Sequence, residues 1–158
     1  MPIVLCRVDD RLVHGQVVVG WGRPLNLNRI VLVDDEVRQS PWEQELYRMA
    51  APAEIAMDFV NAVEAAPRLQ AWEAGRERVL VLVGTIGAAA ELLRRAPGGL
   101  RRLNLGGIHA APGRRERLRY LYLSDDEVAL LTRMADRGLE VSAQDVPTSR
   151  AVPLKDLG

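Results

Sequence analysis

The segment IVLCRVDDRLVHGQVVVGW, residues 3–21, joins two apolar runs through a short charged junction. The first run, IVLCRV at 3–8, is nearly continuous in apolar residues, which is typical of a strand covered on both faces of a parallel sheet. The second run, GQVVVGW at 15–21, predicts a helix. A buried strand followed by a helix is the repeating unit of an α/β fold.

The same alternation continues along the chain. Further strand-like runs are RIVLVD at 29–34, EIAMDFV at 54–60, RVLVLVG at 78–84 and RLNLGG at 102–107. The helical stretches between them are SPWEQELYRMA, VEAAPRLQAWEAG and TIGAAAELLRRA. After residue 107 the pattern loosens, and late strands are predicted at 117–123 and 139–146. The sequence therefore predicts an α/β fold whose sheet is covered by helices.

Several helix ends carry recognisable signals. SPWE at 40–43 predicts an N-cap serine, a first-turn proline and a capping-box acid. Ser124 precedes DDEVALLTRMADR and predicts a second capped helix, which should end at Gly138. Pro67 should break or kink the helix in which it lies.

Length and composition limit the classes of function. At 158 residues the chain is expected to form one domain over residues 1–158. Its 21 basic and 21 acidic residues balance, so no overall field attracts nucleic acid or an anionic membrane. Cys6 is the only cysteine, which excludes an internal disulfide and fits a reducing compartment. The sequence gives no reason to expect a metal or another cofactor.

Membrane insertion is not expected. The N-terminal apolar run MPIVLC is broken at Arg7, and no later run approaches the roughly 20 residues of a spanning helix. The expected location is the cytosol, with any work at the inner face of a membrane performed through partners.

His14 stands at the junction after the first strand, where ligands bind in open α/β sheets. The helix that follows places it at or just before a helix N-terminus, whose unpaired N–H groups favour an anion. Arg11, three residues earlier, can offer a planar fork of donors to phosphoryl oxygens. The junction therefore suits a phosphoryl group on or beside His14.

Asp9 and Asp10 add a carboxylate that could hold one imidazole nitrogen as N–H, so that the other nitrogen presents its lone pair. One of them could instead cap the helix. A purely structural alternative also stands: an N-cap flanked by a solvated arginine and a solvated histidine.

The segment RVDDRLVHGQVVVGW, with NRIVLVDDEV and MAAP after it, resembles the IIB subunit of the mannose/fructose/sorbose family of the bacterial phosphoenolpyruvate-dependent sugar phosphotransferase system. The hallmark of that family is an arginine and paired aspartates followed by Arg-Leu-(Ile/Val)-His-Gly-Gln. The resemblance continues through LNLGGIH at 103–109, SDDEVALL and EVSAQDVP, and covers essentially the whole chain.

The resemblance implies that His14 accepts a phosphoryl group from a phosphohistidine on a IIA partner. It then passes the group to a sugar bound by the membrane components IIC and IID, as a protein-N(π)-phosphohistidine–sugar phosphotransferase. Asp9 and Arg11 are expected to assist His14. The residues expected to bind phosphate are Asp10, Gly15, Gln16 and Thr85. The implied fold is an open, mostly parallel sheet with helices on both faces and one antiparallel strand near the C-terminus.

One position departs from the family pattern. Related proteins commonly carry lysine or another polar residue where Gly84 stands, which leaves open how much this loop contributes to phosphate binding. Thr85 remains available as a hydroxyl donor. Whether the chain forms a homodimer is also left open.

Two other functions compete with sugar phosphorylation. A histidine phosphatase is the weaker alternative, because that class joins Arg directly to His-Gly, whereas RLVHG separates them. A regulatory phospho-acceptor would keep the fold and His14 but would not pass the phosphoryl group to a sugar.

Three further features are expected to have no role in catalysis. Cys6 matters because other IIB families phosphorylate a cysteine, but its place in the first strand predicts a buried core residue. His109 follows Gly106-Gly107, a pair that could let backbone approach a phosphate, yet an ordinary exposed histidine is expected. The basic segment GRRERLR at 113–119 is expected to form a solvated loop, with docking to an acidic partner as the alternative.

Overall fold

The structure is a computed structural model that describes residues 2–13 and 15–158, apart from the side chains at positions 15 and 16. The strands are β1 (Ile3–Val8), β2 (Arg29–Val33), β3 (Ala56–Val60), β4 (Val79–Val83), β5 (Arg102–Leu105), β6 (Arg114–Leu118), β7 (Leu121–Ser124), β8 (Glu140–Ala143) and β9 (Val152–Pro153). The helices are α1 (Gly15–Gly22), α2 (Asp35–Arg38), α3 (Pro41–Ala50), α4 (Ala62–Ala65), α5 (Leu69–Ala74), α6 (Ile86–Arg95) and α7 (Asp125–Asp136). Short 3-10 turns lie at Ala66–Arg68 and Leu154–Asp156.

The main sheet has seven strands in the order β3-β2-β4-β1-β5-β8-β9. Its neighbouring strands run parallel, except that β9 pairs with β8 in the antiparallel sense. The predicted mostly parallel sheet with an antiparallel strand near the C-terminus is confirmed.

Alternating side chains on the central strands explain why helices cover both faces of the sheet. Successive residues of a strand point to opposite faces. On β4, the valines at 79, 81 and 83 belong to one core cluster and the leucines at 80 and 82 to the other. Helices α1 and α2 pack on the leucine side, and α5, α6 and α7 pack on the valine side, through Val17, Val18, Val37, Leu69, Leu92 and Leu131.

The order of the strands fits right-handed crossovers. The connections from β1 to β2 and from β2 to β3 step in one direction with their helices on one face. The connections from β3 to β4, from β4 to β5 and from β5 to β8 step in the other direction with their helices on the opposite face. The carboxyl ends of these strands consequently meet at one edge of the sheet.

Three of the predicted helix signals are confirmed. Ser124 Oγ accepts a hydrogen bond from the backbone N of Glu127, and the Glu127 carboxylate accepts one from the backbone N of Ser124, which completes a capping box. Gly138 follows this helix with a φ of +103°. Pro67 lies in the 3-10 turn that separates α4 from α5, so the expected kink is present.

The capping prediction for Ser40 is wrong in part. Ser40 occupies the N-cap position and Pro41 the first helical position, but the serine side chain makes no capping hydrogen bond. Helix α3 has no buried residue, so water can reach the first-turn N–H groups and take the place of a cap.

The predictions for residues 113–123 also need correction. Instead of a solvated loop followed by one strand, the chain forms the antiparallel hairpin β6–β7 with a two-residue connection, Arg119 and Tyr120. Arginines of β6 pair with acids of α7: Arg114 contacts Glu127 at 3.0 Å and Arg115 contacts Asp125 at 2.8 Å. Much of the basic charge is therefore balanced within the chain.

Candidate functional site

Two loops lie side by side at the carboxyl edge of the sheet, one after β1 and one after β5. The pairing of β1 with β5 begins this arrangement, and the backbone N of Gly106 continues it by donating to the carbonyl of Val8 at 2.7 Å. The backbone N of Asp10 then donates to the carbonyl of Gly107 at 2.9 Å. The sheet thus brings the predicted catalytic loop against LNLGGIH.

His14, the predicted nucleophile, lies outside the residues that the structure describes, as does the side chain of Gln16. Helix α1 begins at Gly15, so the expected helix start one residue after His14 is confirmed.

Asp9 is fully buried, and its carboxylate accepts several hydrogen bonds from Arg11. Oδ1 accepts hydrogen bonds from the backbone N of Arg11 at 3.1 Å and from its Nε at 2.9 Å. Oδ2 accepts from Nη2 of Arg11 at 2.8 Å and from the backbone N of Gly107 at 3.3 Å. These four bonds fill the lone-pair positions of a carboxylate. Asp9 therefore orients Arg11.

The contacts keep both members of this pair charged. Burial alone would raise the pKa of Asp9, but the hydrogen bonds from Arg11 and the charges of Arg7 and Arg11 outweigh it, so the pKa lies below its ordinary value. The hydrogen bond to Asp9 raises the pKa of Arg11. The Arg11 side chain is 22% exposed, which lets a fixed positive charge face an anion at the surface of the site.

Arg7 is a buried arginine that the sequence analysis did not include in the site. Its Nη2 lies 3.3 Å from Oδ2 of Asp9, and neither side chain is exposed. The Arg7 guanidinium lies over the ring of Trp21 from α1, with Cζ 4.6 Å from the ring centroid. Arg7 therefore contacts Asp9 and ties the loop after β1 to helix α1.

The remaining partners of Arg7 come from distant parts of the chain. Nη1 donates to Oδ1 of Asn104 and, at 2.8 Å, to the carbonyl of Gln144, while Nη2 donates to the carbonyl of Asp145 at 3.0 Å. Burial lowers the pKa of Arg7, and the Asp9 carboxylate opposes that effect. One guanidinium thus joins β1, β5 and the segment after β8.

The glycine pair after β5 makes room for these charged side chains. A Cβ at Gly106 would lie 2.4 Å from Cζ of Arg7 and 2.6 Å from Oδ2 of Asp9, distances that no real Cβ tolerates. A Cβ at Gly107 would lie 3.1 Å from Nε of Arg11. From the sequence, this pair could let backbone approach a phosphate, whereas in the structure it lies against the arginines and the aspartate.

Asp10 turns the other way, toward the second loop. Its Oδ2 accepts from the backbone N of His109 at 2.8 Å. Its buried Oδ1 lies 2.7 Å from Nδ1 of His109, an ion-pair contact without hydrogen-bond geometry, and has no hydrogen-bond partner among the described residues. The two paired aspartates therefore serve different neighbours.

The family is decided by comparison with known proteins. A family model described as "PTS system sorbose subfamily IIB component" matches residues 3–157. The chain belongs to this IIB family. The resemblance seen in the sequence is thereby confirmed.

The IIB chain is similar to several characterised proteins. It is 32% identical over 157 residues to the N-acetylgalactosamine-specific phosphotransferase enzyme IIB component 2 of Escherichia coli, with 98% of each chain covered. It is 26% identical to the mannose-specific EIIAB component of Escherichia coli, of which it spans 48%. A crystal structure of manxB from Thermoanaerobacter tengcongensis superposes with a TM-score of 0.84 at 30% identity, covering 97% of this chain and 92% of that one.

A third loop of the IIB chain, after β4, adjoins the loop after β1. A Cβ at Gly84 would lie 3.0 Å from Cδ2 of Leu12, a residue of the loop after β1 with a φ of +55°. Thr85 Oγ1 accepts a hydrogen bond from the backbone N of Ala88 at 3.0 Å and caps α6. The hydroxyl of Thr85 is exposed and keeps its own proton available for donation.

Cys6 of the IIB chain lies in the core, as predicted. Burial raises the pKa of its thiol to about 12, so the nucleophilic thiolate is not formed near neutral pH. Among the described residues, no helix is long and apolar enough to cross a membrane.

Proposed function

We propose that this IIB chain carries a phosphoryl group on His14, which it accepts from a phosphohistidine of a IIA component and passes to a sugar. IIB components of this system are phosphotransferases that work with IIA and with IIC and IID. The observation that carries the proposal is the Arg11 guanidinium, which donates two hydrogen bonds to the carboxylate of buried Asp9 just before α1, from Nε to Oδ1 and from Nη2 to Oδ2.

The transfer conserves atoms and charge. The bond between phosphorus and the donor imidazole breaks as a ring nitrogen of His14 forms the new bond, and the donor nitrogen regains its lone pair. Arg11 and the first N–H groups of α1, at Gly15 and Gln16, supply positive charge where the phosphoryl oxygens pass. The protein adds positioning and charge, which is most of what phosphoryl transfer requires.

We propose secondary roles for two neighbouring residues. Thr85 is proposed to donate its hydroxyl proton to a phosphoryl oxygen. The negative charge of Asp10 would repel a phosphate in direct contact. Asp10 is therefore proposed to act indirectly, through its contacts with His109. We infer that residues 1–158 act as one IIB domain, associated with the inner face of the membrane through IIC and IID, which select the sugar.

The proposal is tested by following the phosphoryl group. After incubation with the general phosphocarrier protein and IIA, peptide mass mapping should find an acid-labile phosphoryl group on the peptide that contains His14. Mannose, fructose, sorbose and N-acetylhexosamines should then be phosphorylated only when membranes carrying IIC and IID are added. Label on Cys6 would contradict the proposal, as would rapid sugar phosphorylation without membranes.

Replacing Arg11 with lysine should slow transfer by roughly ten- to a hundredfold, although the charge is kept. Lysine cannot satisfy both oxygens of Asp9 and present a planar fork at once, and the loss of one charged hydrogen bond costs about 1.5 to 3 kcal/mol. Rapid-quench measurement of the transfer rate from IIA checks this. Arg102→Lys, at an exposed position of β5, is the matched control and should transfer at the wild-type rate. An Arg11→Lys rate equal to that control would remove Arg11 from the transfer step.

A further inference from the structure

His109 is exposed but held in place by its contacts. Its side chain is 76% exposed, yet Nδ1 lies 2.7 Å from Oδ1 of Asp10. Its backbone N donates to the other oxygen of the same carboxylate at 2.8 Å. A single carboxylate therefore accepts a hydrogen bond from the main chain of His109 and lies in ion-pair contact with its ring.

The backbone around His109 is anchored from a second side. The backbone N of Ile108 donates to the carbonyl of Tyr120, and the backbone N of Tyr122 donates to the carbonyl of Ile108, both at 3.0 Å. Arg114 Nη1 donates to the carbonyl of His109 at 3.1 Å. Because hairpin β6–β7 already anchors this backbone, keeping the ring in one orientation costs little further conformational entropy.

The ring lies in the same pair of loops as Arg11. Asp10 precedes Arg11 directly and donates its backbone N to the carbonyl of Gly107. Gly107 packs against the Arg11 guanidinium, and its backbone N donates to Asp9. Arg11 and His109 consequently flank the junction between these loops, each held by one of the paired aspartates.

A carboxylate on Nδ1 leaves Nε2 on the opposite side of the ring. An imidazolium donates from both nitrogens, so Nδ1–H can face Asp10 while Nε2–H faces an anion. We propose that His109 is a second phosphoryl-contacting residue of this site, with Nε2–H donating to the phosphoryl group in transit and Asp10 acting as its positioning residue. This inference rests on the proposed phosphoryl transfer to His14.

The test compares two phosphoryl donors, phosphorylated IIA and the small molecule phosphoramidate. His109→Ala should lower the second-order rate of His14 labelling about tenfold with both donors, the size expected for one charged hydrogen bond. His109→Gln, which keeps an N–H donor, should recover part of the rate. The free energy of unfolding should not change, because the side chain is mostly exposed.

A double-mutant cycle separates positioning from a structural effect. Asp10→Asn should slow labelling in the wild-type background and have little further effect in His109→Ala, because Asp10 acts through the imidazole. Additive losses would overturn the positioning role.

The outcomes distinguish this inference from the function on which it rests. If wild type is labelled on His14 and His109→Ala is labelled as fast, His109 makes no phosphoryl contact. A loss seen with IIA alone would also overturn the contact and place His109 at the protein interface instead. An absence of His14 label in wild type would overturn the proposed carrier function itself.

Discussion

Replacing His14 with glutamine should abolish phosphoryl transfer to this chain and leave the fold intact. Glutamine is polar and of similar length, but its amide nitrogen has no lone pair able to attack phosphorus. We expect no acid-labile label from phosphorylated IIA, and a urea midpoint close to that of wild type. The change in the free energy of unfolding should stay within about 0.5 kcal/mol, because the substitution exchanges two polar side chains of similar length.

The matched control is His109→Gln, the same substitution at the other histidine of the chain. That variant should still be labelled on His14, at a reduced rate. Undiminished label on the His14→Gln variant would show that another residue accepts the phosphoryl group.

The fold could be predicted from the sequence because its strongest signals are local. The runs at β1, β2, β4 and β5 are buried on both faces, so their near-continuous apolar character identifies parallel strands directly. The hairpin β6–β7 was missed for an equally physical reason. Its turn, Arg119-Tyr120, contains none of the Gly, Asn or Asp residues that usually mark a two-residue hairpin connection.

Only part of the site can be predicted from the sequence, because the residues that hold Asp9 and Arg11 in place come from distant segments of the chain. Asp9 and Arg11 lie two residues apart and could be paired from their types alone. Arg7 and Asn104 are 97 residues apart, and only the placement of β5 beside β1 brings them together. An arginine in an apolar strand carries no sign that it is fully buried. The glycine pair was visible, but only the structure shows what occupies the space beside it.

Asp10 shows the same limit in another form. The sequence shows that two carboxylates precede His14, but it does not show which way each carboxylate points. The backbone bond from Asp10 to Gly107 sets that direction and presents its carboxylate to His109.

Arg7→Met should lower the free energy of unfolding by about 3 to 5 kcal/mol, the cost of removing one partner from a buried charged network. Methionine fills much of the space against Trp21 but donates no hydrogen bond. The carbonyls of Gln144 and Asp145 and the amide oxygen of Asn104 would each lose a donor. Because small domains are stable by only about 5 to 15 kcal/mol, urea denaturation should show a large shift of the midpoint.

Arg102→Met is the matched control for stability, because Arg102 pairs with Glu140 on the same sheet with 70% of its side chain exposed, and exposed pairs contribute little. Arg7→Lys keeps the positive charge but loses the planar set of guanidinium donors. The variant should remain folded, but Asp9 should lose part of its contact with residue 7, and Arg11 should be held less firmly as a result. It should therefore slow transfer to His14 more than its loss of stability explains, because the folded fraction stays near one. If Arg7→Met were as stable as the Arg102 control and Arg7→Lys transferred at the wild-type rate, the buried guanidinium would be a passive core residue, and Asp9 would hold Arg11 unaided.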